Sequence, residues 1–459
     1  MHSFLSIRSL GPIFAGLVVS LCVFVLAPIP VAAVGCSITT DTVIDEAYVS
    51  GHGCTSIDIQ ADVSTTWIGL VDLGGGVVTV KDGFTMTMGS SSEMLLGAND
   101  DFVIEANATA THLLGDTNGI KITARNITIT GVLSASERGC EQGVTSGGDG
   151  YGVDVATGLC AFQTGGYGRG GGGGGAGGGG GSHAGIGGGG GPSVGGGTTI
   201  YGNAINPNYF GSGGGTGYYN AARGGAGGGI IHVTSTATLT VNGLITAKGG
   251  IGQYEGIYNG GGGGAGGSIL IHVGTLAGSG GITVNGGMGG AGGGGGGGGR
   301  VAVYYGALSG FALSQVTATG GIGGPGGGGG AVSGAVGTAF MLDRYTDNGS
   351  GTITIAQGFD FPANGDYTRD AFVIGSGSSL GCGASTNLTV SSTAWLTLSN
   401  ITWTCSAAIT TVTLGSNAGI STTNTVMTFS NATSVNITTP TWTNVTTTLA
   451  LTKSGARSV

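Results

Sequence analysis

The chain of 459 residues is poor in charge: Asp, Glu, Lys and Arg together make up 8 % of it, where an ordinary soluble domain carries roughly 25 %. The balance is acidic, 13 basic against 22 acidic residues for a net charge of −9. That speaks against nucleic acid or an anionic membrane surface as a partner. Proline is scarce, at 8 residues, which excludes a collagen. No stretch beyond residue 33 repeats apolar residues at helical spacing, so no amphipathic helix is expected. Low charge combined with 39 % apolar residues argues against a highly charged disordered chain as well. Glycine fills the space instead, with 108 residues where average composition has about 7 %.

His2 and Arg8 precede an uncharged stretch from Ser9 through Ala33, which closes on Pro28-Ile29-Pro30-Val31-Ala32-Ala33. A basic start, an apolar middle and small residues at the end predict a secretory signal over 1–33. An uncleaved anchor is the alternative, and this segment is the one membrane contact the sequence offers. Without Cys22 of that segment, the cysteines fall as three close pairs: Cys36 with Cys54, Cys140 with Cys160, and Cys382 with Cys405. In an exported chain an even count reads as disulfides, and proximity favours those pairings. Asn-x-Ser/Thr sequons at Asn107, Asn126, Asn348, Asn387, Asn400, Asn431, Asn436 and Asn444 would be glycan acceptors in a eukaryotic secretory pathway.

An internal repeat carries the fold. Ile245-Thr-Ala-Lys-Gly-Gly-Ile-Gly252, Ile282-Thr-Val-Asn-Gly-Gly-Met-Gly289 and Val316-Thr-Ala-Thr-Gly-Gly-Ile-Gly323 align without gaps. After each come a glycine run and a short apolar segment, beginning at Ile269, Val301 and Ala339. Ile231-His232-Val233 recurs as Ile271-His272-Val273, and an upstream copy matches Ile127 through Ala135 to Leu239 through Ala247. A period of this length marks a repeat architecture, and apolar residues alternating with Thr, Asn or Lys read as strands. The same alternation predicts strands at Gly76–Val80, Phe84–Met88 and Ile120–Ala124. Towards the other end it predicts them at Gly351–Ile355, Asn387–Val390, Trp395–Leu398 and Thr411–Leu414.

The reading is therefore all-β: a right-handed parallel β-helix or solenoid with glycine-rich, polyglycine-like extended arms in its middle. A stack of antiparallel sandwich domains is the alternative. After the signal, the boundaries are 34–139 for N-terminal strands, 140–338 for the glycine-rich repeat, and 339–459 for a Thr/Ser-rich continuation. Glycine runs bury almost no side chain and lose the most backbone entropy on ordering. Order in them requires extended chains packed side by side through their own amides. The tail closes on Lys453-Ser454-Gly455-Ala456-Arg457 without a cap, so a longer protein is expected.

The frame Ala265-Gly-Gly-Ser-Ile-Leu-Ile271, Gly281-Ile-Thr-Val-Asn-Gly286, then a glycine run ending in Arg300-Val-Ala-Val-Tyr304, resembles the glycine-rich repeat regions of large secreted bacterial and protist proteins. Those in turn resemble the pectin-lyase-like parallel β-helix superfamily. The likeness spans roughly residues 120 to 343. It implies a fold more than a function, since polysaccharide lyases, hydrolases, adhesins and passive stalks share that superfamily.

Candidate chemistry is sparse. Gly51-His52-Gly53 has the form of a β-helical hydrolase motif, but only Asp41, Asp45 and Glu46 precede it, Asp100-Asp101 lies downstream in the wrong order, and no suitable Arg/Lys motif follows His52. Asp100, Asp101 and Glu105 form the one dense acidic cluster near strands. They are candidates for acid/base work, with a solvated or calcium-holding turn as the competing reading. His232 and His272 occupy equivalent repeat positions and are candidate metal ligands if they stack on neighbouring turns. Thr85/Thr87, Thr128/Thr130, Thr238/Thr240 and Thr352/Thr354 put paired hydroxyls on one strand face, a feature similar to ice-binding solenoids. No motif calls for a cofactor. The expected function is a secreted or cell-surface structural or adhesive solenoid without catalytic activity, meeting cell-wall or matrix polysaccharide or surface proteins. A carbohydrate-active β-helix enzyme and an ice-binding protein are the competing functions.

Overall fold

The computed structural model describes residues 34–343, apart from 91, 144–147, 155, 163–176, 192–193, 219–221, 255–258 and 326–329, and the backbone of strand segments between 352 and 448. The expected signal segment lies outside the described residues.

Short alternating sequences become short strands, and the chain takes them in threes. β1 (Val34–Ile38) and β2 (Thr42–Ile44) are followed by the helix α1 (Glu46–His52). Then come β3 (Cys54–Ile59), β4 (Val63–Trp67), β5 (Leu70–Val71), β6 (Val77–Val80), β7 (Thr85–Met88), β8 (Met94–Leu96), β9 (Asp101–Ile104), β10 (Thr109–His112), β11 (Ile120–Ala124), β12 (Ile127–Ile129) and β13 (Val132–Ser134). Each strand pairs in parallel with the equivalent strand of the next group. One series runs β1, β3, β6, β9, β12. A second runs β2, β4, β7, β10, β13, and a third β5, β8, β11.

Beyond β13 lies a small antiparallel pair, β14 (Tyr151–Val153) and β15 (Cys160–Phe162). The parallel series then resumes with β16 (Ile230–Val241), β17 (Leu244–Thr246), β18 (Ser268–Ala277), β19 (Gly281–Thr283), β20 (Arg300–Ser309), β21 (Val316–Thr317) and β22 (Thr338–Asp343). β16 is long enough to serve two series, lying on β11 with its first half and on β12 with its second. The chain is nearly all β, and long parallel ladders between strands distant in sequence are compatible with a parallel β-helix.

Inward residues stack rung on rung. Ile57, Val78, Phe102, Ile127, Leu239 and Leu276 follow one another in register, and all are fully buried. Each such side chain contributes about 1.5–3 kcal/mol by leaving water. The sequence alignments reappear as pairing: Ile245 opposes Ile282, which opposes Val316, and Ile127 opposes Leu239.

One element departs from expectation. α1 is a helix where none was predicted. Asp45 caps its start by accepting from the Tyr48 amide at 2.7 Å, and Gly53 ends it in the left-handed region at φ 65°. Gly51-His52-Gly53 is therefore a helix terminus. His52 stacks on Tyr48, and its Nδ1 lies 2.8 Å from the Tyr48 carbonyl oxygen.

All the long glycine-rich stretches leave the strands at the same point of the cycle, between β13 and β16, β17 and β18, β19 and β20, and β21 and β22. Within them hydrogen bonds recur every third residue. The amides of Gly294 and Gly297 donate to Gly178 and Gly181. Those of Gly293, Gly296 and Gly299 donate to Gly290, Gly287 and Val284. Those of Gly292, Gly295 and Gly298 donate to Pro325, Val332 and Ala335, all at 2.7–3.0 Å. The carbonyls of the same stretch accept from Gly263 and Gly266, from Gly185 and Gly188, and from Gly321 and Gly324. A rod bonded to six neighbouring stretches through every third residue turns once per three residues, as polyproline-II-like helices do, and has no internal bonds. A Cβ on Gly296 would fall onto the carbonyl oxygen of Gly264, so only glycine fits at this position.

Two expected disulfides are formed. Cys36–Cys54 joins β1 to β3 across 5.5 Å between Cα atoms, and Cys140–Cys160 spans 5.3 Å. For the third pair, Ser379–Cys382 runs parallel to Thr402–Cys405 with Ser379 opposite Thr402, while the cysteine side chains lie outside the described residues. Beyond β22, the strand Thr352–Ile355 pairs with it antiparallel and then parallel with Ala371–Ile374. The predicted strands near 352, 387, 395 and 411 are all present.

Candidate functional site

The acidic cluster flanks β9, with Asp100 and Asp101 at its start and Glu105 just past its end, and each carboxylate already has partners. Asp100 is fully buried. Its oxygens accept from the amides of Leu73 and Gly75 at 2.7 Å, Gly76 at 2.9 Å and Gly97 at 3.2 Å. It braces the turn before β6. Asp101 points the other way and takes Nε and Nη2 of Arg125 at 3.0 Å each, with the Asn126 backbone and side-chain amides at 3.1 Å. Burial alone would raise its pKa; the Arg125 and Asn126 hydrogen bonds prevail and hold it below the usual carboxylate range. Glu105 accepts from Lys81 Nζ at 3.2 Å and from the Asp82 amide at 2.9 Å. Lys81, also 3.4 Å from Asp58, is partly desolvated, yet its acidic neighbours raise its pKa.

The histidine register differs from the sequence alignment. β16 and β18 pair with His232 opposite Leu270 and Thr234 opposite His272, so the two imidazoles are offset by two residues instead of stacked. The Ile-His-Val identity misleads because the buried partners Ile231 and Ile269 set the register. His272 instead stacks on Tyr304 of β20, ring centroids 4.7 Å apart and 8° from parallel. Tyr304 is fixed in turn by its hydroxyl, which donates to the Ile205 carbonyl at 2.6 Å. Among the described residues no group of three His, Cys, Asp or Glu could hold a metal ion.

Both histidines nevertheless line one groove of about 260 Å³ on the outer face of β11, β16 and β18, with Glu93, Lys121, Thr123, Thr234 and Leu270. Sequence reasoning missed these companions, because only the register places Lys121 beside His232 and Thr123 beside Thr234. His232 Nε2 lies 3.2 Å from the Pro207 carbonyl oxygen. Burial of the ring lowers its pKa against that hydrogen bond, and Lys121 adds to the lowering.

Two further histidines are buried away from the groove. His112, on β10, is fully buried with neither ring nitrogen bonded, and burial pushes its pKa down to about 4. His183 Nδ1 lies 2.8 Å from the Gly266 carbonyl oxygen, while Nε2 has no hydrogen-bond partner. Burial and then nearby Arg300 push its pKa down to about 3. A hydroxyl ladder runs longer than the aligned repeats: Ser64, Thr87, Thr111, Ser134, Thr246, Thr283 and Thr317 follow rung on rung.

Of the sequons, Asn107 is exposed, although its amide donates to Asp82 at 3.0 Å. Asn126 is tied to Asp101 and to the Thr238 amide. Asn348, Asn400 and Asn431 lie outside the described residues, as do the side chains of Asn387, Asn436 and Asn444. No family model, curated protein or solved structure matches the chain.

Proposed function

We propose that this is a secreted or cell-surface protein whose parallel β-solenoid, right-handed like its expected relatives, has a structural and adhesive role without catalytic activity. The observation that carries the reading is the glycine lattice: a rod with six hydrogen-bonded neighbours is a rigid spacer that offers no reactive group. The carboxylates agree with it, since Asp100, Asp101 and Glu105 are each engaged as braces. Two disulfides fit an oxidising compartment, and no helix among the described residues is long and apolar enough to cross a membrane. The partners this surface would meet are cell-wall or matrix polysaccharide or other surface proteins.

The test is fractionation and cell binding. Labelled mature protein should appear outside the cell and bind whole cells or wall preparations without releasing reducing sugar. Turnover of a polysaccharide that Asp101→Asn abolishes would select the enzymatic reading instead.

A further inference from the structure

We propose that the groove over β11, β16 and β18 is a binding site for a short uncharged oligosaccharide laid across the strands. Neighbouring strands stand about 4.8 Å apart, so the groove offers polar groups in two parallel rows. One row is Glu93, Lys121 and His232, with Leu270 next in register as an apolar floor. The other, two residues along, is Thr123, Thr234 and His272. Hydroxyls both donate and accept, an ammonium only donates and a carboxylate only accepts, which together match a ligand carrying many hydroxyls in mixed roles.

At the far end the ligand meets the His272–Tyr304 stack. The ring lining the groove is His272, backed by Tyr304, which is itself held by its hydroxyl's bond to Ile205 and by Phe340 edge-on at 5.8 Å. A fixed ring at the end of a polar trough suits the apolar face of a sugar ring. Charge selects against a polyanion. Glu93 offsets Lys121 within the groove, and the chain as a whole carries −9.

The inference rests on the adhesive reading, but the two can fail separately. The mature full-length protein is titrated calorimetrically with neutral oligomers of glucose, galactose, mannose and N-acetylglucosamine, and with a polyuronate. At least one neutral oligomer should bind saturably, with little dependence on salt. Thr234→Lys, which crowds the groove from an outward strand position, should weaken that binding about tenfold or more. His272→Ala should weaken it in the same direction, and circular dichroism should report an unchanged fold. Absence of binding by every neutral oligomer, tighter binding of the polyuronate, or full binding by a folded Thr234→Lys protein would overturn the proposal. If cells are still bound in that case, adhesion stands and runs through another surface.

Discussion

Acid should destabilise this protein well before its carboxylates titrate, because two histidines are buried in their neutral form. His112 occupies a core position opposite Met88, and His183 lies within the glycine lattice. Their folded pKa values are pushed down to about 4 and about 3 from 6.5, so the unfolded chain binds the extra protons. Stability is complete above about pH 6.5 and is lost as pH falls, by about 1.4 kcal/mol per pH unit for each histidine. Integrated from about pH 7 to about pH 5, each contributes a loss of about 2 kcal/mol, so about 4 kcal/mol together. That is a large share of the 5–15 kcal/mol that typically holds a domain together. The depressed Asp101 works in a different window: its contribution is present above the ordinary aspartate value of 3.8 and is lost only below that. Urea unfolding across this pH range measures the effect, and His112→Met, which takes the residue type of its neighbour, should remove about half of the slope. Flat stability from pH 7 to pH 5, or an unchanged slope in the variant, would refute the reasoning.

Other perturbations separate lattice, staple and brace. Gly296→Ala drives a methyl into the Gly264 carbonyl and should cost about 3 kcal/mol or more. Gly51→Ala, with open space around it inside α1, should be neutral or stabilise by up to about 1 kcal/mol; thermal melts compare the two. Replacing Cys36 and Cys54 together by Ala should lower stability by about 3 kcal/mol in chemical denaturation. Peptide mapping without reductant should recover Cys140–Cys160 intact and decides whether Cys382 joins Cys405. Asp100→Asn weakens the acceptor for buried turn amides and should cost about 2 kcal/mol by the same denaturation assay.

The strand repeat was legible because buried residues recur with it: Ile245, Ile282 and Val316 align in sequence and oppose one another in the ladder. Three things were not fully legible, each for a physical reason. The helix α1 is one short element with a glycine inside it, and its signals were its caps, Asp45 and Gly53. The offset of His232 from His272 is decided by which residues face the core, which a three-residue identity does not report. The hydroxyl ladder shows in sequence only where the repeats align, at Ser134, Thr246, Thr283 and Thr317; its continuation to Thr111, Thr87 and Ser64 follows only from strand pairing, because those turns share no sequence match with the repeat. For the same reason the groove could be assembled only after Lys121 and His232, more than a hundred residues apart, were known to be neighbours.

The lattice explains why glycine and strand repeat occur together. Ordering one residue costs about 1–2 kcal/mol of backbone entropy, more for glycine, and a backbone hydrogen bond returns only about 0.5–1.5 kcal/mol net. Rods without side chains to bury therefore break even at best. The strands change that balance. Several rods continue directly from strands whose register is fixed by buried residues: Ala247 and Val284 follow β17 and β19 as core residues, and Gly299 precedes β20. With both ends held, little further freedom remains to lose on bonding to the neighbours. The Thr/Ser-alternating strands are thus the template, and the glycine rods are ordered on it. A segment of the lattice excised from its strands should not hold the three-residue hydrogen-bond pattern, whereas the strands with their glycine stretches shortened in matched pairs should still fold. Amide exchange tests both: protection of the Gly292 to Gly299 amides should collapse with any break in the β18–β20 register, and rods that stay protected after such a break would reverse the order of dependence.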